Sequence, residues 1–376
     1  MKTYTLTDLS QEEVRQLCER NPVYDPGLLT KCREIFDRVA ADGDGALREY
    51  TRRYDSVDIE DCRVTADEFQ EAQSKVPGEV VAALETAIRN IRRFHGAQRL
   101  SEEPVDVQPG ITCWRAARPI NSVGLYVPGG TAVLPSTVLM LGVPAKLAGC
   151  SRIVLCVPPN SDGSVDPVVL VAAQLAGVRR VFKVGGAQAI AAMALGTASV
   201  PKVEKILGPG NRIVQTAKLL ATFHGVSIDM VAGPSEVLVI ADELASPRLV
   251  AADLISQAEH GADSQVVLVS GNQLTVDQVI AEIENQIKNL PRQEIARKAL
   301  DHSIFIVLEN REDQLALINE YAPEHLIIST QNYKEFSEGI VNAGSVFLGE
   351  LTPESAGDYA SGTNHTLPTN GWARSY

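Results

Sequence analysis

Residues 122–150 read SVGLYVPGGTAVLPSTVLMLGVPAKLAGC, and this stretch decides the fold class. Its short apolar start has the composition of a buried strand, and the apolar run from residue 136 has the length of a helix. Between them lie Pro128 and the pair Gly129-Gly130, which permit a sharp backbone turn and close approach of a ligand. The turn is therefore either a tight strand–helix connection or a ligand loop, and the segment indicates an α/β unit.

The same alternation of strands and helices continues toward the C-terminal end. The predicted strands are 122–127, 153–157, 180–184, 202–207, 236–241, 265–270, 303–308, 325–329 and 345–348. The predicted helices between them are 136–149, 168–176, 187–195, 211–224, 247–260, 275–289, 311–320 and 333–342. Near-continuous apolar strands that alternate with helices predict mostly parallel sheets covered by helices on both faces. Nine strands are many for one sheet, so the pattern predicts two α/β domains.

The first part of the chain is helical rather than alternating. The predicted helices are a small one within 1–22, a pair within 27–55 interrupted at 42–45, and an amphipathic helix at 78–95. The loops at 55–75 and 101–118 carry no clear pattern. We expect an N-terminal helical segment (1–22), a first α/β domain (23–125 and 236–376) and a second α/β domain (126–235) inserted into the first.

The bulk composition limits the class of function. Of the 376 residues, 45% are hydrophobic and 22% are charged, which is ordinary for a soluble globular protein. The net charge of −13 argues against nucleic acid as the main partner, because phosphate binding needs a basic face. The cysteines form no CxxC pair, and the chain shows neither a signal-peptide core nor an apolar run of membrane-spanning length. We therefore expect a cytoplasmic protein with reduced thiols and no membrane partner.

Two further glycine-rich stretches follow predicted strands and open predicted helices. They are VGGAQA at 184–189 and LGPGN at 207–211. The N–H groups at such helix starts attract anions such as pyrophosphate, although neither stretch matches the GxGxxG fingerprint. Gln188 and Asn211 either offer amides to a ligand or act as turn and capping residues, and Tyr126 stands just before the first glycine-rich turn.

A metal-binding pair is one interpretation of the stretch DLISQAEHG at 253–261. The helix is predicted to end at Gly261, so Gln257 and His260, three residues apart, share one face at its end. An amide oxygen and an imidazole nitrogen placed there can hold a metal ion. Alternatively, Gln257 is a surface residue and His260 is satisfied by the helix dipole.

Acid–base chemistry is indicated in the C-terminal third. Glu324 and His325 stand where a loop enters the predicted strand 325–329, and a carboxylate beside an imidazole is a plausible acid–base pair. The polar, glycine-rich segment 352–365 then gathers further reactive side chains, namely Glu354, Asp358, Asn364 and His365. Long polar loops on a rigid scaffold often carry function.

Taken together, these blocks resemble the histidinol dehydrogenase family. The blocks are GLYVPGGTAVLPSTVLMLGVPAKLAGC, VGGAQAIAAMALGT, GPGN, IDMVAGPSEVLVIAD, LISQAEHGADSQ, APEHL and AGSVFLGELTPESAGDYASGTNHTLPT. They are long and occur in the family's order, and the resemblance extends from about residue 30 to the last residue.

The resemblance implies a fold, an activity and a set of site residues. The implied fold is two incomplete Rossmann-like domains in a homodimer, and the implied activity is oxidation of L-histidinol to L-histidine through L-histidinaldehyde, with NAD and zinc. The implied zinc ligands are Gln257, His260 and Asp358, and the implied NAD contacts are Tyr126, Gln188 and Asn211. The implied substrate contacts are Ser235, Gln257, His260, His325, Asp358 and His365. Glu324, as the base that activates water, and His325, as the proton acceptor, are the implied catalytic pair.

The chain departs from the family at its end. It stops at Tyr376, whereas the resemblance implies a further segment that carries a substrate-binding Glu and a fourth zinc ligand, a His. On this basis we expect weak zinc binding, slow turnover and mobility near Asp358 and His365 in the 376-residue chain. A non-catalytic relative that binds NAD or a histidine-like ligand is the alternative.

Overall fold

The computed structural model describes residues 1–5, 10–19, 25–99, 102–129 and 133–376. The strands are β1 (Lys2–Thr5), β2 (Val105–Gln108), β3 (Ile111–Cys113), β4 (Ser122–Tyr126), β5 (Arg152–Val157), β6 (Arg180–Lys183), β7 (Lys205–Leu207), β8 (Ser227–Ile228), β9 (Glu236–Ala241), β10 (Gln265–Ser270), β11 (Ile304–Val307), β12 (His325–Ser329) and β13 (Ser345–Leu348).

The α-helices are α1 (Gln11–Cys18), α2 (Pro26–Asp42), α3 (Asp44–Asp55), α4 (Ala66–Lys75), α5 (Gly78–Gly96), α6 (Pro135–Leu147), α7 (Pro167–Leu175), α8 (Gly186–Leu195), α9 (Arg212–Thr222), α10 (Pro247–Ala258), α11 (Gln273–Gln286), α12 (Gln293–Asp301), α13 (Arg311–Tyr321) and α14 (Tyr333–Ser337). Short 3₁₀ turns occur at Ile287–Asn289 and Trp372–Ser375, and a π-helical turn occurs at Ala356–Ala360.

Both large sheets are parallel. The first has the strand order β1-β11-β10-β9-β12-β13, and the second has the order β6-β5-β4-β7-β8. A separate antiparallel pair, β2 with β3, forms an exposed hairpin. The predicted fold class, mostly parallel α/β sheets covered by helices, is confirmed, and all nine predicted strands are present.

Helices cover both faces of the first sheet, which explains why its central strands are apolar throughout. Successive residues of a strand point to opposite faces. In β9, Val237 and Val239 pack into a core shared with α10, α11 and α12, whereas Leu238 and Ile240 pack into a second core shared with α13 and α14. Every residue of β9 and β12 is buried as a result.

The second sheet is also covered on both faces, and the helices that precede it in sequence take part. Leu125 of β4 packs with side chains of α4, α5, α6 and α7. Tyr126, the next residue, faces the opposite core, which α2, α3, α8 and α9 complete. The second sheet therefore cannot bury its faces without α2 to α5.

This packing corrects the predicted domain boundaries. The chain divides into unit 1, which is Met1–Val23, Met230–Gly357 and Leu367–Tyr376, and unit 2, which is Tyr24–Asp229 and Asp358–Thr366. The predicted first domain joined 23–125 to 236–376, but α2 to α5 belong to unit 2 because their apolar faces cover the second sheet.

The N-terminal segment is only partly helical. β1 pairs in parallel with β11 and forms an edge of the first sheet, so residues 1–22 are not a separate helical segment. The helix α1 is present, and the Ser10 hydroxyl caps it by accepting the N–H of Glu13 at 3.3 Å. The strand was missed because Lys2–Thr5 is mostly exposed and carries no apolar run.

Two regions without a clear sequence pattern also contain regular structure. The loop predicted at 55–75 contains α4, which Thr65 and Glu68 cap reciprocally. The loop predicted at 101–118 contains the β2–β3 hairpin.

Five of the six cysteines are buried, and Cys113 is exposed. In the part of the chain that the structure describes, no helix is both long enough and apolar enough to cross a membrane.

Candidate functional site

The strand order of the second sheet reverses between β4 and β7. In doubly wound sheets, ligands bind beyond the carboxyl ends of the strands at such a reversal. β4 ends at Tyr126, and β7 ends at Leu207. The glycine-rich stretches 184–189 and 207–211 follow β6 and β7 at the same edge. The glycine-rich stretches of unit 2 therefore lie at the edge of the sheet where doubly wound folds bind ligands.

Tyr126 and Gln188 meet at this edge around Gly186. The Tyr126 hydroxyl accepts the N–H of Gly186 at 3.0 Å, and burial raises the pKa of the phenol. Gly186 has φ +60°, and a Cβ there would lie 2.7 Å from Oε1 of Gln188. Tyr126 and Gln188, two of the three predicted cofactor contacts, are thus both buried, and Tyr126 holds the first turn of α8 through its contact with Gly186.

Asn211 lies at the start of α9, and its side chain is exposed. Its side-chain oxygen accepts the N–H of Val214 at 3.2 Å, so it caps the helix as the alternative interpretation proposed.

A buried ion pair holds the 207–211 turn, and no local sequence pattern marks it. Lys218 of α9 lies 2.5 Å from Asp229, and its Nζ donates to the carbonyl oxygen of Gly208 at 2.8 Å. The other oxygen of Asp229 accepts the N–H of Gly208 at 2.6 Å. Burial lowers the pKa of Lys218, although Asp229 opposes that effect. Both polar groups of one glycine are thus fixed by a pair of buried charges.

The polar segment after residue 352 contributes to both units. Within unit 2, Nε2 of His365 lies 2.9 Å from the Thr137 hydroxyl. The Asn364 amide donates to the carbonyl oxygen of Met140 at 2.8 Å. The side chain of Asp358, a predicted zinc ligand, lies outside the described residues.

In unit 1 the candidate acid–base residues gather at the amino ends of β9 and β12. These strands are adjacent, with His325 paired to Val237. Oε2 of Glu324 accepts the N–H of Glu236 at 2.9 Å. Nδ1 of His325 lies 3.2 Å from the carbonyl oxygen of Glu236. The main chain at Glu236 therefore orients both members of the predicted pair, and both side chains are buried.

The contact with Glu236 fixes the tautomer of His325. A carbonyl oxygen can only accept a hydrogen bond, so the proton of the neutral ring lies on Nδ1 and the lone pair lies on Nε2. Nδ1 also lies 3.7 Å from a carboxylate oxygen of Glu324 and 3.8 Å from one of Glu354. Two buried carboxylates thus face the ring on the side opposite to its basic nitrogen.

The strand β9 is preceded by a loop that carries Ser235, a predicted substrate contact. Ser235 is half-buried, and its carbonyl oxygen accepts the N–H of Gln265 at 3.1 Å. The C-terminal segment braces this loop, because the Asn370 N–H donates to the Glu236 carboxylate at 3.1 Å and the Gly233 N–H donates to the Thr369 hydroxyl.

Gln257 and His260 lie side by side at the C-terminal end of α10, as their spacing predicts. One terminal atom of the Gln257 amide is 3.1 Å from Nδ1 of His260. Gln257 is fully buried, whereas His260 is exposed. The other terminal atom of the amide faces the carboxylate of Glu354, at 2.6 and 3.2 Å from its two oxygens. The exposed imidazole of His260 thus contacts the buried amide of Gln257, which in turn contacts the buried carboxylate of Glu354.

The pair Gln257 and His260 fits two ligands of one zinc ion. Ligand atoms ~2.1 Å from a tetrahedral zinc lie roughly 3.4 Å apart, close to the 3.1 Å separation of these side chains. An amide oxygen and an imidazole nitrogen are also suitable donors. Among the described residues, no cluster of three or more His, Cys, Asp and Glu side chains is arranged to hold a metal. Of the three predicted zinc ligands, the structure describes the side chains of two, Gln257 and His260.

Asp253 lies one helical turn before Gln257 and is buried. Burial raises its pKa to about 7, although the main-chain N–H of Glu354, which it accepts, lowers it. Asp253 and Gln257 therefore both bind Glu354, one at its main chain and the other at its side chain.

The fold and the site together define an α/β enzyme with two parallel doubly wound sheets and a buried imidazole–carboxylate cluster. A family model described as histidinol dehydrogenase matches residues 19–376. The chain belongs to the histidinol dehydrogenase family and is a dehydrogenase of histidine biosynthesis.

Individual relatives agree with this assignment over nearly the whole chain. Histidinol dehydrogenase of Bacteroides thetaiotaomicron is 53% identical over 367 residues, covering 98% of this chain and 86% of the relative. That of Bacteroides fragilis is 53% identical over 376 residues, covering 100% and 87%. The crystal structure of histidinol dehydrogenase from Elizabethkingia anophelis matches with a TM-score of 0.96 at 48% identity, covering 100% of this chain and 86% of that one.

Replacing Lys218 with Met should destabilise the protein by about 3–5 kcal/mol, because Asp229 is left as a buried, uncompensated charge. The free energy of unfolding, measured in urea, tests this. Lys31→Met removes an exposed lysine and serves as the control. The double variant Lys218→Met/Asp229→Asn should recover part of the loss, and a double variant no more stable than the single one would contradict this account.

Replacing Asp253 with Asn should change how stability depends on pH. The folded-state pKa is about 7 against an ordinary value of 3.8, so the favourable contribution of the neutral carboxyl is complete below pH 3.8 and is lost as pH rises through 7. Asp253→Asn should therefore be more stable than the wild type at pH 8, by about 2–4 kcal/mol, and equally stable near pH 4. The control is Asp301→Asn, at an exposed aspartate. Parallel stability–pH curves for wild type and Asp253→Asn would refute the assignment.

Proposed function

We propose that this chain catalyses the NAD-dependent oxidation of L-histidinol to L-histidine through L-histidinaldehyde, assisted by zinc. The observation that carries this proposal is His325, whose Nδ1 faces the Glu236 carbonyl oxygen while two carboxylates flank it. Each of the two oxidations removes a proton and a hydride, and the second consumes a water molecule. The residues must therefore supply a base for the substrate hydroxyl and a base for water.

His325 is the base for the substrate hydroxyl. Its lone pair lies on Nε2, because the Nδ1–H group donates a hydrogen bond to the main-chain carbonyl oxygen of Glu236. When Nε2 takes a proton, the ring becomes positive, and the carboxylates of Glu324 and Glu354 within 4 Å stabilise that charge. The chemistry that bound NAD supplies is acceptance of one hydride in each oxidation.

Glu324 is the base for water in the second oxidation. One of its oxygens is held by the Glu236 N–H, which leaves the carboxylate in a fixed orientation. Removing a proton from water lets the oxygen add to the aldehyde carbon, and the hydrate then loses hydride to give the acid. Because only this step uses water, Glu324 serves mainly the second half-reaction.

Gln257, His260 and Asp358 are the proposed zinc ligands. The separation of 3.1 Å between Gln257 and His260 supports the first two, and the assignment of Asp358 rests on the family resemblance. The chemistry that a bound zinc ion supplies is Lewis acidity toward the substrate oxygen. The proposed substrate contacts are Ser235, Gln257, His260, His325, Asp358 and His365.

NAD is proposed to bind at the carboxyl edge of the second sheet. The reversal of strand order between β4 and β7 supports this location, as do the glycine-rich starts of α8 and α9. Tyr126 and Gln188 would shape the site through Gly186, and Asn211 would border it.

We also propose that the protein works as a homodimer in the cytoplasm. The dimer rests on the family resemblance. Five of the six thiols are buried, and scattered cysteines without a CxxC pair suit a reducing compartment.

Replacing His260 with Ala should abolish zinc binding, because it removes one of the two proposed ligands whose side chains the structure describes. Metal content after dialysis against zinc, measured by atomic absorption, tests this. The control is His224→Ala, at an exposed histidine of unit 2. Unchanged zinc content in His260→Ala would show that the ligands are elsewhere.

Replacing Glu324 with Gln should slow oxidation of the aldehyde more than oxidation of the alcohol, by roughly 10²–10⁴-fold for the loss of a general base. NADH formation from L-histidinol and from L-histidinaldehyde, measured separately, tests the division of roles. Glu312→Gln, at an exposed glutamate, is the control. Equal losses in both half-reactions would contradict the assignment of Glu324 to water.

A further inference from the structure

Glu354 is a buried carboxylate to which the proposed reaction gives no proton-transfer step. Its side chain is 1% exposed. It opens the helical turn that continues as Ala356–Ala360 and faces the end of α10 rather than solvent. A buried carboxylate is costly unless it is hydrogen-bonded, so the groups that it contacts indicate its role.

The Gln257 amide can take two orientations beside Glu354, and they differ greatly in energy. If the amide oxygen faced Glu354, it would lie 2.6 Å from a carboxylate oxygen, and two acceptors would repel each other. In the other orientation the amide nitrogen donates to Glu354 at 2.6 and 3.2 Å, and the amide oxygen accepts from Nδ1 of His260 at 3.1 Å. Only the second orientation satisfies all three side chains.

We propose that Glu354 is a positioning residue that turns the Gln257 amide so that its oxygen faces His260. A carboxylate can only accept, so it selects the amide nitrogen and leaves the oxygen on the other side. The oxygen is the only atom of a neutral amide that serves as a metal ligand. This inference rests on the proposed zinc role of Gln257 and His260, and it adds to that role a residue which orients the ligand without touching the metal.

A second contact fixes Glu354 itself on the same face of α10. Its main-chain N–H donates to the carboxyl group of Asp253, and its side chain accepts from Gln257. Asp253 and Gln257 are four residues apart, so they lie one above the other on the helix. The carboxylate also lies 3.8 Å from Nδ1 of His325. One buried group thus links the proposed metal ligand to the proposed base.

The test measures zinc affinity of the metal-free full chain by competition with a chromogenic chelator. Glu354→Gln should bind zinc roughly 10-fold more weakly than the wild type, because a neutral amide in place of the carboxylate no longer selects one orientation. Glu354→Asp keeps the charge but withdraws it from the amide, so it should also bind weakly. The control, Glu350→Gln, lies on the same segment but is exposed and should bind normally.

The exchange Gln257→Glu/Glu354→Gln should restore zinc binding. A carboxylate at 257 offers an oxygen in either orientation, and a glutamine at 354 can donate to it. This variant also keeps one negative charge in the pair, so it tests the proposal even if Glu354→Gln folds poorly. The absorption spectrum of the Co²⁺-loaded proteins provides a second readout, because it reports the number and geometry of the ligands, which the exchange should preserve.

The outcomes separate this inference from the function on which it rests. A wild-type chain that binds no zinc overturns the proposed metal site and the orienting role with it. If the wild type binds zinc and Glu354→Gln or Glu354→Asp binds it with the same affinity, the orienting role alone is overturned. An exchange variant that still binds zinc roughly 10-fold more weakly than the wild type also overturns it.

Discussion

The parallel pairing of β9 with β12 is the constraint on which the acid–base cluster depends. It sets His325 opposite Val237, so that the peptide of Glu236 reaches both His325 and Glu324. Both strands are buried on both faces, and a slip of one residue would turn every side chain of β12 to the opposite core. The register therefore fixes which ring nitrogen carries the proton.

The two sheets share the order of their five core strands, but their candidate site residues lie at opposite ends of the strands. In unit 2 the glycine-rich turns lie at carboxyl ends of strands, where α8 and α9 begin. In unit 1 the acid–base cluster lies at the amino ends of the strands. The helix α10 ends there, with Gln257 in its last turn and His260 just after it. Helix starts favour anions and helix ends favour cations. The proposed pyrophosphate and zinc sites thus each lie at the helix terminus of the suitable polarity.

The sequence predicted what local patterns determine and missed what depends on distant partners. All nine alternating strands were predicted, because a strand buried on both faces is apolar throughout. β1 was missed, since a short exposed edge strand is defined only by its pairing with β11. The assignment of α2 to α5 to unit 2 also depends on distant packing. By contrast, α4 could have been found from its capping pair, Thr65 and Glu68.

The same distinction holds for the site. Gln257 with His260, and Glu324 with His325, are close in sequence, so helical spacing and adjacency indicated both pairs. Lys218 occupies a helix position at which lysine is ordinarily solvated, and nothing local marks it as buried. The contact of Glu354 with Gln257 joins residues nearly one hundred positions apart. Such pairs become visible only when the fold is known.

The contacts that hold Gly208 have a consequence for the entropy of the proposed NAD binding. Glycine has the most backbone freedom to lose, and a turn that ordered only around its ligand would lose that freedom on association. Here both polar groups of Gly208 are already held by Lys218 and Asp229. The ordering cost therefore falls on folding, and the turn is preorganised by a lysine and an aspartate that no ligand needs to touch.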